Sequence, residues 1–107
     1  MDLVGKAKRV RIYVNEDDRI GHQSAHLAIL ELLRHEHTRG ATVVRGMEGF
    51  GTSGELHVSH LVDVARKLPL IVEWIDRPEE VERVLGRLKA LLPGILITVD
   101  DTGIVAW

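Results

Sequence analysis

Leu68–Asp76 reads LPLIVEWID and is apolar on both sides of a strand. Successive side chains of a strand point to opposite faces, so Leu68, Leu70, Val72 and Trp74 share one face while Ile71 and Ile75 stand on the other. A strand of this kind needs cover on both faces. The chain turns at once into a helix signal. Asp76 and Glu79 stand at capping-box spacing and Pro78 falls in the first turn. Val81, Val84, Leu85, Leu88, Leu91 and Leu92 then repeat at helical steps until Pro93-Gly94 stops them. Ile95, Ile97 and Val99 open a further strand, Asp100–Gly103 reads as a turn cluster, and Ile104–Trp107 as a short last strand.

The first half of the chain repeats this order. Residues 1–7 read as a loose leader, and Lys8–Asn15 alternates, with Val10, Ile12 and Val14 opposite Arg9, Arg11 and Tyr13. From His22 to Thr38 the period becomes helical, through Ala25, Ala28, Ile29, Leu32 and Leu33. Ser24 or Asp18 is placed to cap its start, and Gly40 to end it. A strand from Ala41 follows, then a glycine-rich loop; residues 56–66 carry a weak helical pattern. The order is β-α-β, a long loop, β-α-β and a terminal strand. Two units of this size interleave as a ferredoxin-like α+β sandwich, βαββαβ, with both helices on one face of a four-stranded antiparallel sheet. The other face then carries Ile71 and Ile75 beside Arg9, Arg11 and Tyr13, a mixture explained by burial against further copies of the chain.

Bulk properties narrow the function. The 107 residues fit one domain, with an ordinary 45% hydrophobic and 28% charged residues. A net charge of −2 argues against a general nucleic-acid binder. Without cysteine there is no disulfide, thiol nucleophile or thiolate metal site. No apolar run approaches the roughly 20 residues of a membrane span, and the N-terminus lacks the apolar stretch of a secretory signal, so the expectation is a cytoplasmic protein.

Function is concentrated in Ala41–Ser59, ATVVRGMEGFGTSGELHVS. Gly46, Gly49, Gly51 and Gly54 fall within nine positions, where glycine lets a backbone approach a ligand and a loop change shape. Gly49, Gly51, Ser53 and Gly54 can form a nest of backbone N–H groups around an anion, Arg45 can add a bidentate charge, and His57 can hydrogen-bond the ligand. The competing reading is a hairpin-like connection whose glycines serve geometry and whose histidine packs the loop base. His22 with His26, and His57 with His60, have helical spacing for a metal, yet neither pair has an evident third ligand. Glu16-Asp17-Asp18 reads as a turn and helix-dipole complement, not a magnesium site. Ser53, His57 and Asp63 include the residue types of a catalytic triad without a nucleophile elbow, so enzymatic activity is not expected.

The stretches RIYVNEDD (11–18), LAILELLR (27–34), GATVVRGMEGFGTSGELH (40–57) and LPLIVEWID (68–76) resemble the PII-like signalling proteins, specifically the branch known as an uncharacterised PII-like domain. The run RGMEGFGTSGELH is the specific part. The resemblance implies a homotrimer that binds an adenine nucleotide at clefts between subunits. It also implies a loop, here 51–60, that docks on a transporter or metabolic enzyme. A departure limits it: the Gly-Asp-Gly phosphate loop of signalling PII proteins is missing, since Glu82–Pro93 (ERVLGRLKALLP) is a plain amphipathic helix. The modifiable loop tyrosine is missing too, Tyr13 lying in the first strand. The family's ATP mode and covalent switch are therefore not carried over. A CutA-like metal-responsive trimer and a ligand-independent adaptor remain the alternatives.

Overall fold

The computed structural model describes residues 4–50, 57–58 and 68–107. Its elements are β1 (Gly5–Asn15), β2 (Arg19–Ile20), β3 (Gln23–Ser24), α1 (Ala25–His35), β4 (Thr42–Arg45), β5 (Glu48–Gly49), β6 (His57–Val58), β7 (Pro69–Asp76), α2 (Pro78–Leu91) and β8 (Leu96–Ile104). The main sheet has the order β4-β7-β1-β8, and all its pairings are antiparallel. This is the expected ferredoxin-like arrangement.

Burial follows the two sequence periods. Val10, Ile12 and Val14 of β1 and Leu70, Val72 and Trp74 of β7 line one face of the sheet. Ala25, Ile29 and Leu33 of α1 and Val81, Val84, Leu88 and Leu92 of α2 close over them. Trp74 is the largest fully buried side chain, and its indole N–H donates to Asp76 Oδ2 at 3.2 Å, so its one polar atom is satisfied inside the core. Among the described residues no helix covers the opposite face, and its apolar residues form a row. Val44, Ile71, Tyr13 and Leu96 are register neighbours across all four strands.

The helix boundaries differ from the sequence reading. The helix does not begin at His22, because Arg19–Ser24 form the small β2–β3 hairpin. Ser24 occupies the N-cap position of α1 without a side-chain cap bond. The helix stops before Gly40. The N–H of His37 donates to the carbonyl of Arg34 and that of Thr38 to Leu33, a paired closure that holds His37 at φ 60°, where glycine is usual. The capping box at α2 does not form either. Asp76 directs Oδ1 to the N–H of Arg77, and Arg77 itself is the N-cap.

Both ends of the sheet's outer pair also differ from the sequence reading. Residues 5–7 are not a leader but the start of β1, Asp100–Gly103 is not a turn but part of a single strand, β8, and the expected separate strand over Ile104–Trp107 does not form, since β8 ends at Ile104. The two strands pair with one another: Lys6 opposite Gly103, Ala7 opposite Thr102, Lys8 opposite Asp101 and Arg9 opposite Asp100. Lys8 Nζ meets Asp101 Oδ1 at 2.6 Å, and Arg9 grips both carboxylate oxygens of Asp100. Opposite charges facing each other across the ladder offset the turn preference of the two aspartates.

Candidate functional site

The root of the glycine loop is a corner where three strand ends meet. Among the described residues β4 is an edge strand, paired only with β7, and its last residue, Arg45, lies opposite Leu70. One residue on, the N–H of Gly46 donates to the carbonyl of Pro69 at 2.7 Å. From the end of β1, the N–H of Glu16 donates to the carbonyl of Leu68 at 2.9 Å. Pro69 begins β7, where a proline costs no internal ladder bond.

The glycines of this corner have a steric reason. A Cβ on Gly46 would lie 2.7 Å from Pro69 Cγ and 3.3 Å from the Pro69 carbonyl oxygen. A Cβ on Gly49 would lie 3.3 Å from the same Cγ. The backbone therefore crosses the proline ring at a distance only glycine permits without displacement. Beyond it, β5 and β6 pair antiparallel, with Gly49 opposite His57 and Glu48 opposite Val58. Two residues of the sequence-proposed site, Gly49 and His57, are thus cross-strand partners. His57 and Val58 lie in a strand, not in the weak helix read over 56–66. The rest of that segment and Gly51, Ser53 and Gly54 lie outside the described residues.

Arg45, the proposed anion ligand, holds a carboxylate. Its Nε and Nη2 both reach Oε1 of Glu16, at 2.9 and 2.8 Å. The sequence reading misses this partner, because residues 16–18 read as a turn. That turn does exist: Asp18 Oδ2 accepts the N–H of Asn15 at 2.8 Å, and the Asp18 carbonyl accepts that of Ala25. Glu16 reaches instead across the sheet corner to Arg45.

The paired-histidine metal reading loses its geometry at the first pair. His22 lies in the β2–β3 turn, ahead of the helix that carries His26, so the two do not share a helix face. His60 lies outside the described residues. Among the described residues no group of three metal-ligating side chains comes together.

Two hollows lie elsewhere. One of about 550 Å³ is lined by Glu36, His37, Arg39, Asp76, Arg77, Glu80 and Arg83. Its three arginines face three carboxylates, and the acids already have partners. Glu36, only 7% exposed, accepts from Arg83 at 2.9 Å and Arg87 at 2.7 Å, while Glu80 accepts from Arg83. The hydrogen bonds to Glu80 and Glu36 hold the Arg83 guanidinium above its ordinary basicity. We read this cluster as an ionic tie between α1 and α2. The second hollow, about 520 Å³, runs over Ile20, Ala28, Leu32 and Leu91 on the helical side. Neither hollow is lined by Arg45 or Gly49.

Comparison with known proteins agrees with the fold. The family model DUF190, described as "Uncharacterized ACR", matches residues 7–104. A UPF0166 protein of Aquifex aeolicus is 32% identical over 102 residues, covering 95% of this chain and 96% of its own. One of Methanocaldococcus jannaschii is 32% identical over 97 residues, 89% of each. Among solved structures, a protein of Thermus thermophilus described as PII-like superposes with a TM-score of 0.70 at 21% identity, over 98% of this chain and 94% of that one. CPII of Thiomonas intermedia, a nitrogen regulatory PII-like protein bound to ADP, AMP and bicarbonate, gives 0.63 at 19% identity, over 92% and 88%. With the family model spanning nearly the whole chain, this protein belongs to the DUF190 family, and it shares its fold with PII-like structures.

Proposed function

We propose that the protein is a non-enzymatic, homotrimeric, cytoplasmic PII-like regulator. It binds a small anionic metabolite, in the first place an adenine nucleotide, between subunits at the root of the 51–60 loop. Arg45, Gly49, Gly51, Ser53, Gly54 and His57 form or adjoin the pocket. Ligand orders the loop and thereby changes its fit to a transporter or metabolic enzyme, by an amount set by the difference in ligand affinity between the two loop states.

The observation that carries this reading is the corner itself. A glycine backbone is pressed onto Pro69, an arginine side chain stands beside it, and the β5–β6 pairing sets His57 opposite Gly49. A bare structural connection needs the glycines but not the arginine held at the same point. Met47 and Phe50, each 73% exposed, flank β5 and offer apolar contact to a partner protein. The apolar row Val44–Ile71–Tyr13–Leu96 on the open sheet face supports assembly with further copies. The binding of ADP and AMP by CPII makes adenine nucleotides the first ligands to test. Calorimetric titration with ATP, ADP, AMP and cyclic AMP tests the proposal. We expect saturable binding of at least one, abolished by Arg45→Ala; silence from all four by an intact oligomer defeats it.

A further inference from the structure

Arg45 meets Glu16 through the Nε edge of its guanidinium. Nε and Nη2 form the edge that takes a phosphate or carboxylate in a two-point grip, and here both nitrogens are spent on a single oxygen of Glu16. That edge cannot serve Glu16 and a ligand anion together. We propose that Glu16 is a built-in competitor for the anion at Arg45, so that a phosphate-bearing ligand enters by displacing its carboxylate. The inference rests on the functional reading above, in which Arg45 belongs to the ligand site.

The two partners are unequally fixed. Glu16 is bound by its backbone N–H to Leu68, and its side chain is 23% exposed. Arg45 ends an edge strand, and its side chain is 53% exposed. The glutamate, anchored through its backbone, therefore stays as a negative charge beside Arg45 whichever anion the guanidinium holds. An ion pair this exposed is weak, so Glu16 sets a threshold of a few-fold in affinity and does not block binding. The consequence is selectivity. A multiply charged phosphate ligand outcompetes the carboxylate, while a singly charged carboxylate metabolite gains little over the glutamate already present.

The test is calorimetric titration of the full chain with ADP and, separately, inorganic pyrophosphate. Glu16→Gln keeps the shape and the backbone anchor while removing the charge. Asp17→Asn removes the same charge one residue away, from an exposed side chain that the argument does not use. We expect Glu16→Gln to bind roughly fivefold tighter than the parent. Asp17→Asn should stay within about twofold of it, and Glu16→Gln combined with Arg45→Ala should bind no better than Arg45→Ala alone. Equal affinity in Glu16→Gln and the parent overturns the inference and leaves the nucleotide reading standing. An equal gain in Asp17→Asn also overturns it, since the effect is then general charge. Pyrophosphate binding improved by Glu16→Gln, with ADP silent throughout, supports the inference and removes the nucleotide reading. Silence from both probes in both proteins overturns both. A second readout needs no variant: an isotope-labelled parent protein should show its Arg45 Nε–H signal move on adding pyrophosphate, and no movement at saturation counts against the displacement.

Discussion

Replacing Gly46 by alanine puts a methyl group where the structure has no room. Its Cβ would stand 2.7 Å from Pro69 Cγ, well inside contact distance, and 3.3 Å from the Pro69 carbonyl oxygen. The ring cannot retreat easily, because the Gly46 N–H is bonded to that same carbonyl at 2.7 Å. Overpacking of this kind costs about 1–3 kcal/mol, with about 1 kcal/mol more if the hydrogen bond breaks. For a chain of this size a loss of about 2 kcal/mol lowers the melting temperature by roughly 8–16 °C. Gly86 provides the opposite case. It lies inside α2, where a Cβ meets nothing within 4 Å, so Gly86→Ala should stabilise by up to about 1 kcal/mol. The assay is urea denaturation at one fixed protein concentration, because an assembling chain has concentration-dependent stability. Pro69→Ala removes the offending Cγ, so the cycle of Gly46→Ala with Pro69→Ala should show a favourable coupling of about 1 kcal/mol. Strict additivity, or a neutral Gly46→Ala, would refute the steric argument for the loop root.

Four further outcomes are expected. His37→Gly should stabilise by about 1 kcal/mol in denaturant melts, since the φ of 60° at the end of α1 strains a side-chain residue and not glycine. Glu36→Ala should cost about 1–3 kcal/mol in the same melts, because it leaves Arg83 and Arg87 without the buried carboxylate that ties α1 to α2. The hydrogen bond from Arg9 holds the Asp100 carboxyl below its ordinary 3.8, so its contribution to stability is complete above about pH 4 and is lost as the pH falls through its lower folded value. Melting curves between about pH 5 and 2 should therefore lose part of their acid sensitivity in Asp100→Asn. Tyr13→Glu, placed between Ile71 and Leu96 on the open face, should reduce assembly in light scattering while leaving the helix-covered core intact.

Much of the fold is legible because periodicity reports burial directly. The alternation in β1 and β7 and the stripes of α1 and α2 name the residues that form the core. The misreadings at the two chain ends are one event seen twice. Gly5–Ala7 and Asp100–Ile104 each look irregular alone, and become strand only because each supplies the other's ladder. Such pairing spans some ninety residues of sequence, as the Arg9–Asp100 bond does, and no local pattern announces it. His37 shows the same limit on a smaller scale, since residue type points to Gly40 for helix closure whereas backbone bonding closes it three residues earlier. In the candidate site, glycine density marks the loop root, and Gly46 and Gly49 are required there by contact with Pro69. The partner of Arg45 is not legible: Glu16 lies 29 residues away, in a run that also serves a turn.

Native mass spectrometry of the protein purified without added ligand, then with ADP, tests the functional account most directly. The account predicts a species of three times the 12.0 kDa chain mass that gains up to three ADP masses. Arg45→Ala should keep the threefold mass and lose the added ADP. A single-chain species, or an assembly that takes up no nucleotide at any concentration, would contradict it.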